Sequence, residues 1–355
     1  MIFTTSICAN YLPRAMALGA SIKRHYPQAR FYPCLLERSV PDGASSSPHF
    51  DGILLAKDIV PFNFDHFIFR HSIVEAATAV KGDLFLHLFQ AFPEEETFIY
   101  MDPDTCLYSS MPELEASLQE SSIVLTPHLL TETGLIPMEV SILEHGLYNL
   151  GFLGIRRSDE SLRLLTWWAD RLHRMCYDAK YTGIFTDQRW FDLVPLFFKT
   201  ALLLHAGYNV GPWALHSRPV DPAPDDSLLV CGQPLRFIHF SGFPESFTHC
   251  IDIWAPRHKE RLHALTSAYA KTLDANKEFA SIPWSYDAYR SGRKISDFSR
   301  MRWRQRPVDG NISPFDLSDR KILGKWFLLA RFDTLYQRLN NKYYEKMRSY
   351  FHIWE

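Results

Sequence analysis

The stretch Thr97-Phe-Ile-Tyr-Met-Asp102-Pro-Asp104-Thr-Cys-Leu-Tyr108 constrains the fold more than any other part of the chain. Phe98 to Met101 is a short, nearly continuous apolar run, as expected of a strand buried on both faces of a largely parallel sheet. It ends abruptly in charge. Side chains alternate along an extended chain, so Asp102 and Asp104 point to the same side, with Pro103 stiffening the step between them. Two carboxylates are thereby aimed past the carboxyl end of a central strand, where open α/β sheets place their ligands. They repel one another unless a cation or a shared proton lies between them. The bland alternative is a solvated turn in which the aspartates cap their own backbone.

A chain of 355 residues with 46% hydrophobic and 14% aromatic residues can bury a substantial core, as one large α/β domain or one domain with an appendage. A net charge of -2 gives no basic excess for a phosphate backbone, so nucleic acid is not an expected partner. The cysteines Cys8, Cys34, Cys106, Cys176, Cys231 and Cys250 show no Cys-x-x-Cys pairing, which predicts reduced, mostly buried thiols rather than a disulfide framework or a zinc ribbon. The chain opens without a basic segment followed by an apolar stretch, and no uncharged apolar run reaches transmembrane length. The expectation is a cytoplasmic protein.

Ile2-Phe-Thr-Thr5 reads as a first strand, Ser6 to Asn10 as a loop, and about Leu12 to His25 as a helix with Ala15, Leu18 and Ile22 at helical spacing. Phe31 to Leu36 is a second strand, and this β-α-β start predicts a right-handed crossover and a parallel sheet. From Arg70 to Phe92 an apolar face at helical spacing leads into the Asp102 strand, carrying Arg70, Glu75 and Lys81 as its polar residues of interest. Ser122 to Thr126 is a further strand. His128, just after it, reads as a loop residue rather than a ligand.

Leu147-Tyr-Asn149-Leu-Gly151-Phe-Leu-Gly154-Ile155 is an apolar strand with one Asn and two glycines, which suggests either a backbone that must come close to something or a β-bulge. A helix from about Asp159 to Arg174, with Trp167, Trp168 and Leu172 on its core face, leads to Thr186-Asp187-Gln188. Asp187 reads either as an acid at a helix N-terminus or, with Gln188, as a carboxylate and amide presented to a sugar. Tyr208 to Trp213 is an aromatic-rich loop and Pro219 to Asp226 a surface hairpin. Leu235 to Gly242 is a strand ending in His239, the natural third partner for the two aspartates. Two carboxylates and an imidazole, with phosphate oxygens, suit Mn²⁺ or Mg²⁺ better than structural zinc.

The order strand-Asp-x-Asp, Asn-x-Gly, Asp-Gln and strand-terminal His-x-x-Gly resembles the GT-A fold glycosyltransferases, most closely those similar to glycosyltransferase family 8. The resemblance spans about residues 1–250 and implies an α/β fold: a single Rossmann-like domain, its mostly parallel central sheet flanked by helices. It implies that Asp102, Asp104 and His239 hold Mn²⁺ against the diphosphate of a UDP-sugar. Thr4, Thr5, Ser6 and Asn10 would meet the nucleotide, Arg70 or Lys81 would reach the donor from the preceding helix, and Asn149, Asp187 and Gln188 would face the transferred sugar. Chains with Tyr-Asn-Leu-Gly-Phe, Asp-Gln-Arg-Trp and His-Phe-Ser-Gly together resemble a bacterial branch acting on surface polysaccharides. One departure stands out. The family continues its histidine motif into Lys-Pro-Trp, whereas this chain has Gly242-Phe-Pro-Glu-Ser-Phe, so Lys81, Arg70 or a C-terminal residue must replace that lysine.

Residues 251–355 are expected to form an aromatic and basic, mainly helical extension. Trp284 to Tyr289 and Arg300 to Arg306 have a composition suited to carbohydrate rings or phosphates. Lys321 to Tyr350 has a helical pattern with Trp326, Leu329, Phe332, Leu335 and Leu339 on one side and Arg331, Arg338, Lys342 and Lys346 elsewhere. Such a helix packs on its own domain or lies on an anionic membrane surface, in this case the inner face. The functional expectation is retaining sugar transfer from a nucleotide-sugar to a glycan, lipid-linked or protein acceptor. The alternatives are a metal-dependent nucleotidyl or phosphoryl transferase and a silent carbohydrate-binding protein on the same fold.

Overall fold

Ile2–Ile7 forms β1, a six-residue strand buried throughout, and Leu12–His25 forms α1 with Pro13 in its first turn, where a missing N–H costs nothing. The helix ends where expected, before Pro27. In the computed structural model, which describes residues 1–225, 227–255, 257–306 and 312–324, two compact units are formed by residues 1–61 with 73–284, and by residues 62–72 with 285–355.

The first unit is α/β. After β1 and α1 its sheet takes in β2 (Arg30–Leu35), β3 (Leu54–Leu55), β4 (Thr97–Met101), β6 (Ile123–Pro127), β7 (Tyr148–Arg156) and β8 (Ala201–Leu202), in the order β8-β6-β7-β4-β1-β2-β3. The pairs β1/β2, β1/β4, β2/β3 and β6/β8 are parallel, while β7 runs antiparallel to both neighbours, β4 and β6. The sheet is therefore mostly parallel and flanked by helices, as expected. The reversed strand brings the start of β7 beside the carboxyl end of β4.

On one face Phe3, Phe31, Ile99, Met101 and Phe152 pack with Leu18, Ile22, Leu114 and Leu118 from helices. The β6/β7 ladder shifts register between Leu125/Leu153 and Pro127/Tyr148, a stretch that holds Gly151, and both glycines of β7 also mark close approaches. A Cβ on Gly154 would stand 2.7 Å from Leu114 Cδ1, and one on Gly151 would meet the site described below. The helical pattern expected from Arg70 to Phe92 divides into Ile73–Ala79 and Lys81–Ala91. The second helix lies so close to Asp159–Met175 that a Cβ on Gly82 would come 2.7 Å from Ala169 Cα. On that longer helix Trp168 and Leu172 are buried, whereas Trp167 is half-buried against Trp190 and Phe198.

A second, two-stranded ribbon pairs β5 (Thr105–Leu107) with β9 (Phe237–His239). The helices Glu245–Trp254 and Lys259–Asp274 follow β9, and Phe247, Ile251, Leu262 and Tyr269 share a core with Ile238 and Phe240. The two units divide the chain after Trp284, whereas the sequence suggests a boundary near residue 250. Both of these helices belong to the first unit.

In the second unit Phe64, Phe67, Phe69, Tyr286, Tyr289, Trp303 and Phe315 are buried. Arg300 is buried too, donating to the carbonyls of His71 at 2.9 Å and Tyr286 at 2.8 Å. The aromatic and basic composition read as a carbohydrate or phosphate surface is thus spent at these residues on a core. The amphipathic pattern expected over Lys321 to Tyr350, with its membrane contact, lies outside the described residues beyond Gly324. Among the described residues no helix is long and apolar enough to cross a membrane, and all six cysteines are free thiols.

Candidate active site

Asp102 and Asp104 leave β4 at its carboxyl end, and the turn is fastened by Asp102 N–H to Gly151 O at 2.8 Å and Thr105 N–H to Asp102 O at 3.1 Å. The β5/β9 ribbon then does what distance in sequence hides. His239 lies opposite Thr105, and the N–H of Phe240 donates to Asp104 O at 2.8 Å, so the imidazole is delivered beside the acids. His239 Nε2 stands 3.2 Å from Asp104 Oδ1 and 3.8 Å from Asp102 Oδ2. One ligand atom from each of the three lies within 4.8 Å of the others, the only such His/Cys/Asp/Glu group among the described residues.

The donor set fits a hard divalent cation. Burial raises the Asp104 carboxyl, but the adjoining His239 outweighs burial and holds it below its ordinary value; Asp104 in turn holds the imidazole above its usual value against its own burial. Each group is thus tuned by the other's charge. Positive charge at this point is what the surroundings are built to accept.

Lys81 joins this cluster to Asp187. Its Nζ lies 2.9 Å from Asp187 Oδ2, 3.6 Å from Asp102 Oδ1 and 2.9 Å from Leu150 O, with the Tyr100 ring centroid 4.2 Å away. Burial disfavours the ammonium, yet Asp102 and Asp187 together hold its pKa above the ordinary lysine value. Burial raises the Asp187 carboxyl, with Lys81 pulling it back. Tyr100 links this group to β1: its hydroxyl donates to Asp102 Oδ1 at 2.9 Å and lies 2.9 Å from Ser6 Oγ.

Asn149 and Gln188 flank the pair. Gln188 Oε1 accepts from Leu150 N–H at 3.0 Å while its Nε2 donates to His145 O at 3.0 Å. Asn149 Oδ1 accepts from Gly151 N–H at 3.0 Å, and its Nδ2 donates to His128 Nε2 at 3.0 Å. His128, read from sequence as a loop residue, is therefore a buried acceptor, its pKa lowered to about 3 by burial. Gly151 is the strand glycine that lets these groups meet: an added Cβ would lie 2.4 Å from His239 Cε1, 2.7 Å from Asn149 Oδ1 and 2.8 Å from Asp102 Oδ2.

The residues expected to meet the nucleotide are split in role, and Thr4, Thr5 and Ser6 lie within β1 itself, with only Asn10 in the turn after it. Thr4 Oγ1 donates to Tyr32 O at 2.7 Å and Ser6 Oγ to Ala77 O, so both hydroxyls serve the fold. Thr5 Oγ1 and Asn10 Oδ1 are buried without a partner. Arg70 belongs to the second unit, where its guanidinium donates to Arg306 O and its own carbonyl accepts from Arg304 Nε at 3.0 Å. Three residues that the sequence did not single out complete the first unit's site. Tyr11 keeps an exposed ring. Arg14 stacks 4.4 Å from that ring's centroid and donates to Phe243 O at 2.9 Å. Asn209 connects His239 to Asn149. The sequence signals were an aromatic and a cation flanking the α1 start, and a lone Asn ahead of Val-Gly-Pro.

No family model matches the sequence. The chain is 27% identical over 154 residues to the uncharacterized protein YfnF of Bacillus subtilis (strain 168), a match covering 42% of this chain and 51% of that one. It is 25% identical over 173 residues to YfnD of the same organism, also uncharacterized, covering 48% and 54%. The chain spans about half the length of the curated relatives it matches. Among solved structures it is similar to the galactosyltransferase LgtC in complex with donor and acceptor sugar analogues, at TM-score 0.43 and 15% identity over 78% of this chain and 96% of that chain. Similar too is the glycosyltransferase GlyE of Streptococcus pneumoniae TIGR4, at TM-score 0.43 and 14% identity over 81% and 66%. Likeness at this level leaves the function to the site's own residues.

Proposed function

We propose that the chain is a metal-dependent GT-A glycosyltransferase similar to family 8, moving a sugar from a nucleotide-sugar, a UDP-sugar by preference, to a carbohydrate, lipid-linked or protein acceptor. The observation that carries this reading is the convergence of Asp102, Asp104 and His239, with ligand atoms within 4.8 Å, next to the Lys81–Asp187 pair. Mn²⁺ or Mg²⁺ held by these three would supply Lewis-acid charge to a departing diphosphate.

The chain's own groups do the rest. Asn10 Oδ1 and Thr5 Oγ1, buried and unpartnered, offer polar atoms to the nucleoside, and the exposed Tyr11 ring offers a face to its base. Arg14 is this reading's substitute for the missing lysine, supported by its bond to Phe243 O in the loop after His239 and by its charge beside Asp104. Lys81 is engaged by Asp187 and Asp102 rather than free to follow the diphosphate. Asp187 and Gln188 face the donor sugar. With Oδ2 held by Lys81 and Oδ1 accepting from Thr186 Oγ1 at 3.1 Å, Asp187 suits positioning better than attack. The retaining route is therefore front-face transfer, with the leaving phosphate taking the acceptor's proton.

A panel of nucleotide-sugars incubated with Mn²⁺ tests the reading by its products. Release of nucleoside diphosphate is expected. Sugar 1-phosphate, the group left behind when the nucleotidyl moiety is moved, would instead show nucleotidyl transfer, and no turnover with any donor would leave a binding protein.

A further inference from the structure

The ring nitrogen that His239 turns toward the two aspartates is set by a chain of amides beginning at a backbone group. Gly151 N–H can only donate, so the Asn149 atom 3.0 Å from it is the oxygen. That oxygen also faces Asn209 at 3.1 Å, so the Asn209 atom there is the NH₂ group, which gives its second proton to Thr126 Oγ1 at 3.0 Å. The remaining Asn209 atom is an oxygen and accepts from His239 Nδ1 at 3.0 Å. Nδ1 therefore carries a proton, which leaves Nε2, beside Asp102 and Asp104, as the ring nitrogen whose lone pair is offered when a cation takes the place of its proton.

Asn209 is built for this position. It is 1% exposed and adopts φ +50°, a left-handed conformation that Asn, Asp and Gly tolerate far better than other residues. It is set beside its partner by His239 N–H to Val210 O at 2.9 Å and Val210 N–H to Phe237 O at 3.2 Å.

We infer that Asn209 is the positioning residue that fixes His239 as its Nδ1–H tautomer, presents Nε2 to a divalent cation, and couples that ligand to Asn149. The inference rests on the proposed metal site. A group that orients a metal-bound imidazole through its far nitrogen is worth about 10–100-fold in metal affinity.

The test compares Asn209→Gly with Asn209→Asp, since both accept the left-handed backbone. Gly removes the amide. Asp keeps an acceptor for Nδ1–H but cannot donate to Thr126 or Asn149. Mn²⁺ binding is measured without donor by electron paramagnetic resonance, and the His239 ring nitrogens are followed by ¹⁵N NMR with Mg²⁺. The expected result is at least tenfold weaker Mn²⁺ binding and a mixed ring-nitrogen signature in Asn209→Gly. Asn209→Asp should stay within threefold of the parent for Mn²⁺ while its KM for donor rises. Parent-like Mn²⁺ affinity and ring signature in a folded Asn209→Gly would overturn the inference. If that variant does not fold, a tenfold loss in Asn209→Asp overturns it. A parent protein that binds no Mn²⁺ refutes the metal reading itself, an outcome distinct from either.

Discussion

Lys81 Nζ lies 2.9 Å from Asp187 Oδ2, with both side chains almost wholly inaccessible to solvent (2% and 3% exposed). One ammonium thus joins the turn after β4 to a loop that enters the site from much later in the chain. Breaking a pair of this kind from one side strands the other charge in a dry interior.

Lys81→Met should therefore destabilise the first unit by about 3–5 kcal/mol, the cost of leaving a buried carboxylate uncompensated. Urea unfolding measures it. A loss under about 1 kcal/mol would mean that Asp187 loses nothing when its partner goes, contrary to the ion pair argued here.

Removing a ligand from the Asp102, Asp104 and His239 group should cost more than a partner behind it does. Asp104→Ala is expected to weaken Mn²⁺ binding by more than about 100-fold, the upper end for an outer partner. Chelation of the parent protein should abolish sugar transfer and re-added Mn²⁺ restore it. Turnover that persists in chelator would refute metal dependence.

The two strand glycines give a matched contrast. In Gly151→Ala the new methyl meets His239, Asn149 and Asp102, whereas in Gly154→Ala it meets first the far end of Leu114. Both should lose about 1–3 kcal/mol to overpacking, but Gly151→Ala alone should lose Mn²⁺ binding. Equal metal affinity in the two would contradict the site geometry.

Arg14→Ala should raise KM for the nucleotide-sugar about tenfold, the loss of one charge-assisted contact worth about 1.4 kcal/mol. Its far-ultraviolet circular dichroism should not change. An unchanged KM would return the diphosphate contact to another cation.

In the second unit Asp319 Oδ1 accepts from the hydroxyls of Tyr289 at 2.7 Å, Ser299 at 2.7 Å and Ser296 at 2.9 Å. Burial raises this carboxyl, but those donors prevail and hold it below its ordinary value of 3.8. A depressed folded pKa adds stability that is present in full above the unfolded value and lost as pH falls through the folded one. Asp319→Asn should be about 1–3 kcal/mol less stable at pH 7, with the gap closing as the pH falls below 3.8 and through the lower folded value. A gap independent of pH would assign the loss to packing.

Much of the fold and of the Asp102, Asp104 and His239 cluster was legible because it is written in local patterns. The apolar run of β4 halts at two acids, α1 keeps helical spacing to its end before Pro27, and the glycines of β7 flag a close approach. What stayed hidden was long-range. Asn209 and His128 are single polar residues without periodicity, and only the pairing of β5 with β9 and the start of β7 show what they touch. The aromatic and basic run after Trp284 misled for a related reason, since composition does not distinguish a ring buried in a core from one offered to a sugar. The stretch from Arg70 to Phe92 read as one helix because its apolar spacing continues across Val80, where the backbone ends one helix and begins another.

The lone reversed strand of the sheet has a consequence for how the surroundings of Asp102 can vary. Because β7 runs against β4 and β6, the segment entering it, Ile136–His145 with its turn, arrives from the Asp102 end of the sheet rather than from the opposite edge. Lengthening or reshaping that segment changes what stands around Asp102 while the hydrogen-bond register behind it stays put. New side chains can be accommodated there without disturbing Asp102, Asp104 and His239.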